Sequence, residues 1–200
     1  MNKKISIYVS VLVLLLFVAL TMLVLSGAAA TWNDSIHHYI TLQRNSALTN
    51  VMIFLDVVGS LYGYIPLIIL LLIFHKTRRS IGIPVGVVIL ISESLNRILK
   101  PIFAIPRPDV DSLVTMSGYG HPSGHAMNAL VFGGTCIMLV FGSNYKKQLK
   151  IALFALSFAY IIIMGFSRIY LGVHTATDVM AGYLAGVFIL SVNYYLCIVK

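Results

Sequence analysis

Three short clusters of ionisable residues interrupt an otherwise apolar chain. Near the C-terminus, Ser167-Arg168 is followed by His174 and then Asp178. Upstream stand Lys100 with Arg107-Pro108, then Pro122-Ser123-Gly124-His125. An ionisable group in mid-bilayer costs roughly 2.5–3.5 kcal/mol on insertion scales. Three clusters at the ends of hydrophobic runs therefore point to one polar site assembled at a membrane face. Cations, two histidines and a carboxylate are the groups needed to grip a phosphate and break its bond.

Each cluster also has a plainer reading. His174 and Asp178 are one helical turn apart, so the carboxylate can hold one imidazole nitrogen and leave the other for a nucleophile or base. Asp178 would equally suit a helix N-terminus, but that does not account for Arg168 and His174. Pro122-Ser123-Gly124-His125 reads as a helix start whose free N–H groups cradle an anion, with Ser123 adding a hydroxyl and Gly124 a close approach to the backbone. A simple capped helix start is the alternative. After Lys100, the prolines at 101, 106 and 108 should stop the helix and fold Arg107 back toward it. The pair then offers a bidentate fork and a point charge, or merely two cations snorkelling from a helix end.

The elements that must carry these clusters are membrane helices. Hydrophobic residues make up 59% of the chain and charged ones 10%, against roughly 25% charged in a soluble domain. Six segments of about the 20 residues needed to span hydrocarbon occur at about 5–26, 51–74, 81–99, 124–142, 149–166 and 178–199. The expectation is an all-α, six-transmembrane helical bundle forming one domain over residues 1–200, since helices satisfy their own backbone in lipid. Lys3, Lys4 and Ala28-Ala29-Ala30 imitate a secretory signal, but the apolar run is long for a signal core and reads as a retained span. Trp32–Ile40 reads as a short interfacial helix on the outer face, capped by Asn33 or Asp34, with Ile36 and Ile40 on one face. His37 and His38 point about 100° apart on a helix, which favours a solvated face over a metal pair. Cys136 and Cys197 fall in apolar spans and read as small buried hydrophobes.

Charge sets the orientation. The connections 75–80 and 143–150 hold Lys76, Arg78, Arg79, Lys146, Lys147 and Lys150; Lys3, Lys4 and Lys200 share their side. The positive-inside rule makes that side cytoplasmic and places both termini there. The net charge of +8 is thus a topology signal rather than a nucleic-acid surface. The loops at about 27–50, 100–123 and 167–177 then meet outside the cytoplasm, in a multi-pass cell-membrane protein. Within the third span Glu93, Arg97 and Lys100 share a face, either as a pair steadying Lys100 or as an interhelical ion pair.

Together, Lys100-x6-Arg107-Pro108, Pro122-Ser123-Gly124-His125 and Ser167-Arg168-x5-His174-x3-Asp178 resemble the three-part signature of the type 2 phosphatidic acid phosphatases. The likeness extends to six spans and so covers nearly the whole chain. It implies that His174 attacks phosphorus to give a phosphohistidine, Asp178 orients it, and His125 protonates the leaving oxygen. Lys100, Arg107, Ser123, Gly124 and Arg168 would hold the phosphate oxygens, without metal or cofactor. Implied substrates are lipid phosphates of the membrane's outer face: undecaprenyl diphosphate, phosphatidylglycerophosphate or phosphatidic acid. A non-catalytic lipid-phosphate binder or flippase would use the same cradle, but has no need of the His174–Asp178 pair facing His125. The vanadate-dependent haloperoxidases share the motif chemistry but are water-soluble. His121, where relatives often carry an aromatic residue, reads as a surface loop histidine in preference to one that contacts substrate or titrates near His125.

Overall fold

The computed structural model describes residues 3–197, the side chains of 196 and 197 excepted, so Lys200 and the Cys197 side chain lie outside the described residues. The regular structure of the described residues is all helical: α1 (Lys3–Leu25), α2 (Ala30–Thr41), α3 (Ser46–Val58), α4 (Leu61–Ile73), a short α5 (His75–Thr77), a π-helical turn Arg78–Gly82, α6 (Ile83–Phe103), α7 (Gly124–Phe141), α8 (Lys147–Tyr170) and α9 (Ala176–Cys197). Five stretches are individually long and apolar enough to cross a bilayer: α1, α5 through α6, α7, α8 and most of α9. The expected span at 51–74 is instead a broken one, because α3 and α4 meet at 55°. Gly59 closes α3, and the Ser60 hydroxyl accepts from the Tyr62 N–H to open α4. A Cβ on Gly59 would come within 2.5 Å of Met164 Cε, so the bend is packed tightly against α8.

Helix α7 lies between α6, α8 and α9, while α1 packs along α9. Apolar contact alone gives little preference for helix over lipid tail, so hydroxyls and small residues carry this packing. Ser6 Oγ donates to the Ser191 carbonyl at 2.6 Å, and the Ser10 and Ser191 hydroxyls lie 2.7 Å apart. Only a stripe of α1 (Ser6, Val13, Phe17 and Thr21) is buried; Val11, Leu12 and Leu15 face outward, as lipid contact requires. A Cβ on Gly182 would meet the Ser123 carbonyl at 2.5 Å, so that glycine seats the start of α9 against the start of α7.

The basic residues at the far end of the bundle also have a local role. Arg78 Nε donates to the Leu72 carbonyl at 2.8 Å and Lys150 Nζ to the Phe141 carbonyl at 3.0 Å. They cover carbonyls that helix ends leave unpaired.

Three local expectations are corrected. Pro101 does not stop α6, which runs to Phe103 and ends at the left-handed Ala104, φ 49°; in the last turn the ring removes only one N–H and leaves the rest of the helix intact. Arg168 is not in a loop but in the last turn of α8. The helix can stop only where Gly172 adopts φ +76°. There Gly172 N–H donates to Ile169 O at 3.0 Å and Val173 N–H to Arg168 O at 3.2 Å, the paired bonds of a Schellman ending. Finally, α2 begins after Ala29 with no side-chain cap. Asn33 is spent elsewhere: its amide donates to Thr177 Oγ1 at 2.9 Å and its carbonyl oxygen accepts from Thr177 N–H at 3.1 Å. The interfacial helix is thereby tied to the start of α9.

Candidate active site

Four helix ends converge on one face of the bundle: the last turns of α6 and α8 and the first turns of α7 and α9. They bring Lys100, Arg168, the Ser123–His125 turn and Asp178 together, with Arg107 and His174 on the intervening loops. Leu113 N–H donating to Leu171 O at 2.9 Å and Gly120 N–H donating to Ile105 O at 2.8 Å hold the 104–123 loop over this face.

Asp178 is fixed by a capping box. Its Oδ2 accepts from Thr175 N–H at 2.9 Å, and Thr175 Oγ1 accepts from Asp178 N–H at 3.2 Å. The plain reading of Asp178 as a helix-terminal carboxylate is therefore correct. The same Oδ2 stands 3.6 Å from His174 Nδ1, beyond hydrogen-bond range. His174 Nε2 lies 3.3 Å from Arg107 Nη1. Arginine only donates, so Nε2 carries the lone pair and Nδ1 the proton, the tautomer a nucleophile at Nε2 needs. Contacts of this kind are often long without substrate and tighten at the transition state. Burial takes the His174 imidazole down to about 4; Asp178 pulls the other way, and Arg107 and Lys100 reinforce the fall. Burial thus favours the neutral imidazole of His174 at physiological pH.

His121 is not a surface residue. It is fully buried, its Nδ1 lies 3.0 Å from Asp178 Oδ1 and its Nε2 3.1 Å from Thr21 Oγ1. Its ring packs against those of Phe17 and Phe103, which also touch each other. The Ser123–Gly124 turn differs from expectation in one respect. A Cβ on Gly124 would fall 2.9 Å from Asn96 Oδ1, and Asn96 Nδ2 donates to the Pro122 carbonyl at 3.0 Å. Gly124 is thus required by the packing of α7 on α6, whatever else approaches its backbone.

Arg168 is fully buried and its Nη1 is bonded to Asp56 on α3. His125 Nε2 is 3.0 Å from the Asp56 carbonyl oxygen and 3.3 Å from its carboxylate. A site read as holding one carboxylate therefore holds two. Asp56 went unread because its partners are more than 60 positions away. The available signal was a lone acid within an apolar span, which in a membrane marks a functional site by default. Glu93 pairs with Arg97 at 3.8 Å and accepts from Asn128 Nδ2, while Lys100 makes no hydrogen bond or ion pair among the described residues. Lys100 is left free for an anion.

Among the described residues, Arg44 Nη2 and His174 Nδ1 are buried without a hydrogen-bond partner, as are three donors of the motif residues, Ser123 Oγ, Arg168 Nη2 and Arg107 Nε. Buried donors are normally satisfied, and these three suit the oxygens of one phosphate. Guanidinium, ammonium and N–H groups have the wrong sign for a divalent cation, whose cages are built of oxygens. A cavity of about 780 Å³ between α7 and α8, lined by Phe132, Cys136, Leu156 and Tyr160, is apolar and holds none of these cations.

Comparison with known proteins identifies the family. The PAP2 superfamily profile matches residues 81–198. Phosphatidylglycerophosphatase B of Bacillus subtilis is 30% identical over 190 residues, covering 91% of each chain. Undecaprenyl-diphosphatase of Sulfolobus acidocaldarius is 30% identical over 187 residues, 89% of this chain and 86% of its own. The crystal structure of the transmembrane PAP2-type phosphatidylglycerolphosphate phosphatase from Bacillus subtilis superposes with a TM-score of 0.82 at 28% identity, covering 94% of this chain and 96% of that one. With its membrane helices, its three motifs and this likeness along nearly its whole length, the chain belongs to the PAP2 superfamily.

Proposed function

We propose that this protein is a metal-independent lipid phosphate phosphatase working through a phosphohistidine intermediate. The observation that carries the reading is the 3.3 Å approach of Arg107 Nη1 to His174 Nε2, beside the unpartnered Ser123 Oγ and Arg168 Nη2. The cation that grips a phosphate oxygen thereby brings phosphorus to the nucleophilic nitrogen.

In the first step His174 Nε2 forms a bond to phosphorus as the bond to the leaving oxygen breaks, and His125 gives that oxygen its proton. Asp178 stabilises the imidazolium that develops on His174. Lys100, Arg107, Ser123 Oγ, the Gly124 N–H and Arg168 hold the equatorial oxygens, where phosphoryl transfer needs most of its stabilisation. In the second step water attacks phosphorus and returns a proton to His125. The P–N bond breaks and phosphate leaves.

The substrate is a phosphate carried on a lipid, hydrolysed on the extracytoplasmic face of the cell membrane with both termini in the cytoplasm. Supporting this, the site lies at the end of the bundle opposite the turns with Lys76, Arg78, Arg79, Lys146 and Lys147. Of undecaprenyl diphosphate, phosphatidylglycerophosphate and phosphatidic acid, the polyprenyl diphosphate is favoured, because its phosphate must be removed outside the cell. The test is phosphate release by the purified protein from each lipid in mixed micelles. Release is expected, with the highest kcat/KM for undecaprenyl diphosphate. A tenfold preference for phosphatidylglycerophosphate, about 1.4 kcal/mol in transition-state binding, would reverse the choice of lipid, and no release from any would overturn the phosphatase reading.

A further inference from the structure

We propose that Asp56 is a positioning residue for leaving-group protonation, holding Nε2 of His125 so that Nδ1 is presented to the leaving oxygen. This rests on the phosphatase reading above and extends it to a residue outside the three motifs. The main-chain carbonyl of Asp56 can only accept a hydrogen bond, so at 3.0 Å from His125 Nε2 it requires the proton on that nitrogen, and it is retained in any substitution of the side chain. Nδ1 is then the nitrogen left for chemistry. To act as an acid the ring must carry a second proton there, and the resulting positive charge needs a counter-charge. The Asp56 carboxylate supplies it 3.3 Å from Nε2. Once Nδ1–H has passed to the leaving oxygen, the neutral ring keeps its Nε2–H on Asp56. Its bare Nδ1 is then ready to take a proton from the attacking water. The proton lent in the first step is recovered in the second.

Asp56 also joins this acid to the phosphate clamp. Its Oδ1 binds Arg168 Nη1, leaving Arg168 Nη2 unpaired for the substrate. The two groups that must meet opposite ends of the breaking P–O bond are thus referred to one side chain. The break between α3 and α4 makes this possible. Asp56 sits three residues before the Gly59–Ser60 bend, which is packed on Met164, one turn before Arg168 on the same helix.

The experiment compares Asp56→Asn with wild type on an alkyl phosphate, dioctanoyl phosphatidic acid, and an aryl phosphate, 4-nitrophenyl phosphate, in one micelle preparation. An aryl oxygen leaves without help, whereas an alkyl oxygen needs its proton, worth about 10²–10⁴-fold. The alkyl ester is expected to lose at least tenfold more kcat than the aryl ester. Asp56→Asn combined with His125→Ala should show no greater difference between the two esters than His125→Ala alone, the loss through the Arg168 contact falling on both esters alike. Equal losses on both esters, or a larger difference between the esters in the double variant than in His125→Ala, would overturn the proposal while leaving the phosphatase intact. An inactive wild type would overturn both. Where Asp56→Asn does not fold, ¹⁵N-histidine spectra of the wild type decide. A neutral His125 ring protonated on Nε2 supports the assignment, and one protonated on Nδ1 contradicts it.

Discussion

Replacing Asp178 by asparagine isolates a single charge. Asparagine keeps an acceptor where Oδ2 now receives Thr175 N–H at 2.9 Å, so the capping box can survive. Its NH₂ group then occupies the Oδ1 position opposite His121 Nδ1. His121 can answer by moving its proton to Nε2, because Thr21 Oγ1 stands 3.1 Å away with its own hydrogen on the Phe17 carbonyl. The fold should therefore hold, with a loss of about 1.5–3 kcal/mol for the charge-assisted bond. What disappears is a unit charge 3.6 Å from His174 Nδ1. At an effective dielectric of about 20 such a charge is worth about 4.6 kcal/mol to the imidazolium that forms on attack. That is about 10³-fold in kcat. Because 3.6 Å is not a ground-state hydrogen bond, the loss should fall on kcat and leave KM nearly unchanged. Steady-state kinetics in micelles, with thermal unfolding measured in parallel, reads both. A kcat within tenfold of wild type in a folded Asp178→Asn protein would refute the argument.

Other outcomes follow from the same geometry. With His174 held down to about 4 by burial, its neutral form dominates above that pH. The acid limb of kcat/KM assigned to it should lie near pH 4, and a limb at the ordinary histidine value near 6.5 would contradict the burial argument. Unfolding exposes an ordinary histidine that binds a proton sooner, so stability should be unaffected by this group above about pH 6.5 and should fall between there and about 4. Activity should survive a chelator, and orthovanadate should inhibit as a mimic of five-coordinate phosphorus; loss with EDTA and recovery with magnesium would contradict the cationic site. Gly124→Ala should lower the midpoint of thermal unfolding, because its Cβ meets Asn96 Oδ1 at 2.9 Å and overpacking typically costs about 1–3 kcal/mol. Adding Asn96→Ser should recover part of that loss.

What the sequence discloses here is local, and what it hides is long-range. The motif residues were legible because membrane helices tolerate few ionisable groups, so Lys100, Arg168 and Asp178 stood out against apolar runs. The i, i+4 spacing pointed to the nearness of His174 and Asp178, although His174 stands in the loop before α9 and the helix-terminal turn brings the two together. The pairing of Arg168 with Asp56 spans 112 positions and follows from the α3–α4 bend, for which Gly59-Ser60 was the only trace. His121 was misplaced for a similar reason. Its partners Thr21 and Asp178 come from the first and last spans, and a histidine beside two loop prolines looks exposed until those helices are packed. Helix ends were misjudged where proline was read as an absolute stop and where the glycine at 172 was not read as one. The relation between Gly124 and Asn96 was invisible because the glycine served the phosphate reading well enough without it.

The central claim is a covalent bond between His174 and phosphorus, and it can be observed directly. The purified protein is mixed with a ³²P-labelled lipid phosphate, stopped in alkaline detergent within a single turnover, and digested to locate the label. The account predicts base-stable, acid-labile phosphate on the peptide carrying His174, formed on the path to free phosphate and absent from His174→Ala. Turnover without any protein-bound label, or a label that persists in His174→Ala, would contradict it.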